Sequence, residues 1–269
     1  MSPLKTLLGL CLAALLMACS STAQNPTVHP YQIDLERLAA EPVKKVALAT
    51  ANLSGEPTRQ HLQQGAGRVH GLVRQYLVRH GYEVVPDHVF DNAWNQAVRT
   101  YGNMYDPTTG RVDPQTWRAV MVTTAATLRE QGDIDAIVFA DVIEHDVQHS
   151  YGMQHYARWY GVTRKPALQG PGEGVPVDFD WGQQVKAASV WVTVYNRDLE
   201  LLFSGRGGLD VLQAIDLKMA SPAFVRRKKL LQNEGHLQEG IQLAFHPFIE
   251  MKRYPGPSLE QRRAEEEQQ

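Results

Sequence analysis

Cysteine is nearly absent. The 269-residue chain has two, Cys11 and Cys19, both at its N-terminus. Beyond Cys19 no disulfide framework, cysteine metal cluster or thiol nucleophile can be built. Long apolar runs are also missing. The N-terminal stretch Leu7 to Leu16 falls short of the roughly 20 residues a helix needs to cross a bilayer. Charge of one sign is lacking too: 27 Lys and Arg face 29 Asp and Glu, for a net charge of -2. Generic binding to nucleic acid therefore has no electrostatic support. No GxSxG elbow, P-loop or helical HExxH zinc motif occurs. What remains is ordinary globular material. A hydrophobic share of 43% and a charged share of 21% suit a packed domain and exclude a disordered chain. The length fits one domain with appendages.

The N-terminus carries the clearest motif. Lys5 gives a positive start, Leu7 to Leu16 a short apolar stretch, and Leu16-Met17-Ala18-Cys19 follows. This resembles the bacterial lipoprotein signal, a leucine and a small residue ahead of an invariant cysteine. The resemblance implies that residues 1–18 are removed. The Cys19 thiol would take a diacylglycerol, and the new amine an acyl chain such as palmitate. Several acyl chains give lasting anchorage. Ser20, where an aspartate would retain the protein at the inner membrane, implies the cell outer membrane, with the chain facing the periplasm. Cys11 would leave with the signal.

Residues 19–42 read as a lipidated N-terminus and tether, opening with small polar residues and proline. Tyr31 to Glu41 reads as a short helix, and the folded domain is expected over 43–250. Val46 to Ala49 is a strand. Leu62, Ala66, Val69, Val73 and Leu77 recur at helical spacing, and Gly81 suits a left-handed cap. Phe90, Trp94 and Val98 mark a second helix. Asp113-Pro114 opens a third, with aspartate as cap and proline in the first turn. Ile134 to Ile143 is almost wholly apolar, as in a central strand covered on both faces. Ala188 to Tyr195 alternates, turns at Asn196-Arg197-Asp198 and returns over Leu199 to Phe203 as a hairpin. Gly205, Gly207 and Gly208 signal a bulge or bend. Ser221-Pro222 is expected to begin a basic helix, and Leu237, Ile241, Ala244 and Phe245 face one side of a last helix. Residues 251–269 read as a charged tail. The expected fold is α+β: a mixed sheet of about four to six strands packed by helices, an α/β sandwich.

"HGYEVVP" (His80 to Pro86) closes the long helix, and "VWVTVYNRDLELLFSGRGG" (Val190 to Gly208) forms the hairpin. With the N-terminal cysteine motif, this order resembles the envelope lipoproteins that include the curli secretion lipoprotein and the lipoprotein activators of penicillin-binding proteins. The resemblance implies a non-enzymatic partner of envelope machinery and carries over no catalytic residue. The chain lacks the paired amphipathic hairpins of a secretion pore.

Candidate chemistry is sparse. His145 and His149 would lie about 13 Å apart on one strand face, too far to share an ion. Gly65, Gly67 and Gly71 sit inside a helix, where close packing on the sheet explains them better than a dinucleotide loop does. Asp106 to Asp113 reads as a turn and helix cap rather than a calcium loop. Arg226-Arg227-Lys228-Lys229 reads as a charged surface. Residues 144–184 lack clear periodicity and are read as a long aromatic-rich insertion. Tyr151, Tyr156, Trp159, Tyr160, Phe179 and Trp181 are its candidate interaction residues, since aromatics anchor interfaces and stack on sugars. They would serve equally to cover the sheet edge. No catalytic residue, metal or cofactor is expected. The reading is an outer-membrane lipoprotein, held by Cys19, that binds or scaffolds an envelope protein partner. A glycan- or peptidoglycan-binding module and an envelope hydrolase using the histidines are the alternatives.

Overall fold

The computed structural model describes residues 30–53, 60–106, 108, 111–150, 155–171, 174–218 and 221–252. Cys19, the expected signal at 1–18, Tyr151 and residues 253–269 of the expected tail lie outside the described residues.

The first half runs β1 (Tyr31–Ile33), α1 (Leu35–Ala40), β2 (Lys45–Leu48), α2 (Gln63–Arg79), β3 (Glu83–Val84), α3 (Asp87–Tyr101) and α4 (Pro114–Gly132). The second runs β4 (Ala136–Gln148), β5 (Ala157–Trp159), β6 (Val162–Arg164), β7 (Ala167–Gln169), β8 (Gln184–Asn196), β9 (Leu201–Val211), β10 (Gln213–Asp216), β11 (Ala223–Arg226) and α5 (Glu234–Phe245). The fold is α+β. Its centre is a six-stranded mixed sheet in the order β1-β9-β8-β4-β2-β3, with β2 parallel to both β3 and β4 and the other pairs antiparallel.

Helices cover both faces. On one, α2 and α5 pack Val69, Val73, Leu77, Ile241 and Phe245 onto Val46, Leu48, Val138 and Val190. On the other, α3 and α4 pack Phe90, Trp94, Met121 and Leu128 onto Ala47, Ile137 and Phe139. Period-2 alternation in β2 and β4 therefore feeds two separate cores. The crossover from β2 to β3 runs through α2, and the one from β3 to β4 runs through α3 and α4. The two move in opposite directions along the sheet, which places their helices on opposite faces. The direction of travel thus reverses at β3, and the chain leaves the carboxyl ends of β2 and β3 toward opposite faces.

Several expectations change. The sheet begins before Val43: Tyr31, Gln32 and Ile33 pair with Gly205, Ser204 and Phe203. Only Leu35–Ala40 of the expected helix forms, capped by Asp34, whose side chain accepts from the Arg37 N–H. The segment 144–184 is less irregular than its sequence suggests. β4 and β8 pair without a break from Ala136–Asn196 to Gln148–Gln184. Glu144, His145 and Asp146 hide this extension because they are polar, on a ribbon that projects past β2 and β3. Ser221-Pro222 leads into β11, not a basic helix; Ala223–Arg226 pairs antiparallel with β10.

The glycines of β9 have a definite cause. The register shifts between Ala188 and Ser189, as a bulge requires, and α5 lies directly on the strand. A Cβ on Gly207 would stand 1.8 Å from the Gly240 carbonyl oxygen. In α2 the expectation needs correction. A Cβ on Gly65 would meet the Leu231 side chain rather than the sheet, and at Gly67 and Gly71 it would meet nothing.

Candidate functional site

In an open α/β sheet, the crevice outside the strand ends at a point of chain reversal is a preferred place for ligands. Such a crevice lies here at the end of β2, with a volume of about 530 Å³. Its walls are Thr50 to Leu53 after β2, Gln63, Ala66, Gly67 and His70 of α2, Asp87 and Asp91 of α3, and Tyr105.

The walls are braced by side-chain bonds. Asn52 takes a left-handed backbone conformation and is tied at both ends to Val142, donating to its carbonyl at 2.9 Å and accepting from its N–H at 3.0 Å. The Trp117 indole donates to the Leu53 carbonyl at 3.1 Å, fixing the loop to α4. The Thr50 hydroxyl donates to Asp91. Asp87, in the first turn of α3, is paired with Arg74 and lies 3.2 Å from His70 Nε2. Arg74 also donates to the Val85 carbonyl at 2.8 Å. Burial pushes the Asp87 carboxyl up, but the hydrogen bonds from Arg74 and His70 outweigh it and hold the group below the usual range. Burial, then the charge of Asp141, raises the Tyr105 phenol.

None of these residues was marked in the sequence as a site residue. They lie on separate elements, and strand order alone brings them together.

The expected aromatic residues divide into two groups. Trp159 is buried, and its indole donates to Ser189 Oγ at 3.0 Å. Tyr160 accepts from Arg206 at 3.2 Å, and that guanidinium also lies over Trp191. Phe179 is buried against Trp181 and Phe224. Trp181 has one ring face covered by His155, stacked at 3.6 Å. Lys165 stands 5.9 Å from the Tyr156 ring. Trp181 also borders an open trough of about 510 Å³ with Leu168, Val175 and Val177. Leu168 and Val177 there are exposed.

His145 Nε2 lies 2.7 Å from Ser189 Oγ, the spacing of a base and its nucleophile. Ser189 has no exposure, however, so no substrate carbonyl can reach it. Among the described residues no His, Cys, Asp or Glu cluster has metal-holding geometry. Asp113 serves as the cap of α4, accepting from the Thr116 N–H. Arg227, in the basic run, pairs with buried Asp210 at 2.8 Å. No helix among the described residues is long and apolar enough to cross a membrane.

The family model described as "Putative peptidoglycan binding domain" matches residues 71–120, from within α2 to the first turns of α4. No curated protein matches the chain in sequence. In shape it is similar to the crystal structure of lipoprotein GNA1162 from Neisseria meningitidis. That likeness covers 62% of this chain and 81% of the other, with 13% identity and a TM-score of 0.32. A likeness at that level bears on neither fold nor function.

Proposed function

We propose that this chain is a lipid-anchored, non-enzymatic binding protein of the bacterial envelope, and that its α/β domain engages peptidoglycan at the crevice beyond β2. One observation carries the reading. The segment matching the peptidoglycan-binding family model supplies Asp87, Asp91 and Tyr105 to the crevice. A family match and a fold-level rule for ligand sites thus meet at the same residues. The anchor rests on Leu16-Met17-Ala18-Cys19, and Ser20 supports sorting to the outer membrane, facing the periplasm. The non-enzymatic reading is supported by the sealed position of Ser189, the hydroxyl beside His145.

The test is retention of the purified chain on isolated sacculi. Tyr105→Ala and Asp91→Ala should each lower retention at least several-fold while leaving the far-ultraviolet spectrum unchanged. Equal retention of all three proteins would rule out the crevice, and no retention of the wild type would rule out peptidoglycan. Trp159→Ala is a poor probe of glycan contact, because that ring is buried.

A protein partner is the second reading. It is favoured by the exposed Leu168 and Val177 beside Trp181. A photo-crosslinking residue at 177 should give one adduct of fixed mass in intact cells, and its absence there would count against this reading.

A further inference from the structure

The polar atoms of the described crevice residues can be followed one by one. Both ends of the Asn52 amide are used on Val142. The Thr50 hydroxyl gives its proton to Asp91 Oδ1. Asp87 has its cation, Arg74, and a bond to His70 Nε2. What is left over among the described residues is one negative charge. Asp91 Oδ2 has no partner among the described residues, and no described cation neutralises that carboxylate. The Tyr105 hydroxyl and the Gln63 side-chain amide each carry both donor and acceptor capacity. Among the described lining residues there is no Lys or Arg.

A crevice with one unneutralised carboxylate and no described cation in its lining is complementary to a group with several donors, no acceptor and a positive charge. An ammonium group is such a group. A sugar hydroxyl carries no charge, so it leaves the Asp91 carboxylate unneutralised. We propose that the crevice takes a primary ammonium group, the free amine of a peptidoglycan stem peptide, with Asp91 as its counter-ion. This rests on the peptidoglycan reading above and narrows it from glycan strand to peptide amine. Thr50 is the positioning residue: its hydroxyl holds Asp91 Oδ1 and leaves Oδ2 free.

The test is isothermal titration of the wild-type chain with a stem tripeptide carrying a free side-chain amine, and with the same peptide acetylated on that amine. The free amine should bind at least tenfold more tightly. Asp91→Asn keeps the shape and the acceptor for Thr50 but removes the charge, and it should bind both peptides alike at the weaker level. Thr50→Val should weaken the amine-bearing peptide several-fold and leave the acetylated one unchanged. Equal affinity of the wild type for both peptides, binding of neither, or a preference that survives in Asp91→Asn would overturn the proposal. Sacculus retention reports separately. If retention persists while the peptides bind equally, only the amine assignment fails. If retention is also absent, the peptidoglycan reading fails with it.

Discussion

His149 is 2% exposed, and both its ring nitrogens lack a partner among the described residues. It stacks on Phe224 at 5.4 Å and meets the Trp181 ring at 6.0 Å. Burial, and then the charge of neighbouring His155, hold its pKa down from the ordinary 6.5 to about 4. The sign follows from linkage. A histidine kept neutral in the fold but free to protonate when unfolded contributes its full stability above pH 6.5 and loses it as pH falls toward 4. The loss at pH 4.5 should be on the order of 2–3 kcal/mol. His149→Phe should remove most of that acid-dependent loss. Urea unfolding of both proteins at pH 7 and pH 4.5 reads the difference, and an unchanged acid slope in the variant would refute the assignment. The sequence marked His149 as a candidate but could not show the aromatic lid over it. Phe224 comes from β11, a strand read as a helix start because Ser221-Pro222 followed by basic residues mimics one.

Among the elements, α5 and β9 make the closest contact. Gly207 and Gly240 let a helix backbone rest on a strand backbone, with no room for a Cβ on either. Gly207→Ala should destabilise the domain by about 3 kcal/mol or more, because backbone rather than a flexible side chain must move. Gly71 in α2 is the counter-case. A Cβ there meets nothing, so Gly71→Ala should stabilise by about 0.5–1 kcal/mol through helix propensity. Thermal unfolding of the two variants should shift in opposite directions. Elements bounded by local chemistry were legible: α4 begins where Asp113-Pro114 says it must, and the β8–β9 hairpin turns at Asn196-Arg197-Asp198. Elements held by distant partners were not. β1 exists because the edge of β9 is open to it, and the far halves of β4 and β8 are strands because they pair with each other.

For the whole molecule, the proposed anchorage and the proposed binding fall on separate segments. Cys19→Ala should block lipidation and leave an unprocessed or soluble chain, while sacculus retention by the purified domain stays unchanged. Normal membrane fractionation of this variant would refute the anchor. The candidate crevice is likewise a property of the whole. Thr50, Asn52, His70, Asp91 and Tyr105 are spread over 56 positions of the chain and meet because β2 lies between β3 and β4. The sequence by itself determined what is local in its physics. These are the N-terminal cysteine motif, the helix periods, the caps and turns, the α+β class, and the lack of thiols beyond Cys19. Only the tertiary structure decided the order of the strands, the reversal at β3 and the crevice beyond β2. Strand order is set by which apolar faces bury one another across long loops, and no window of sequence contains both sides of that contact.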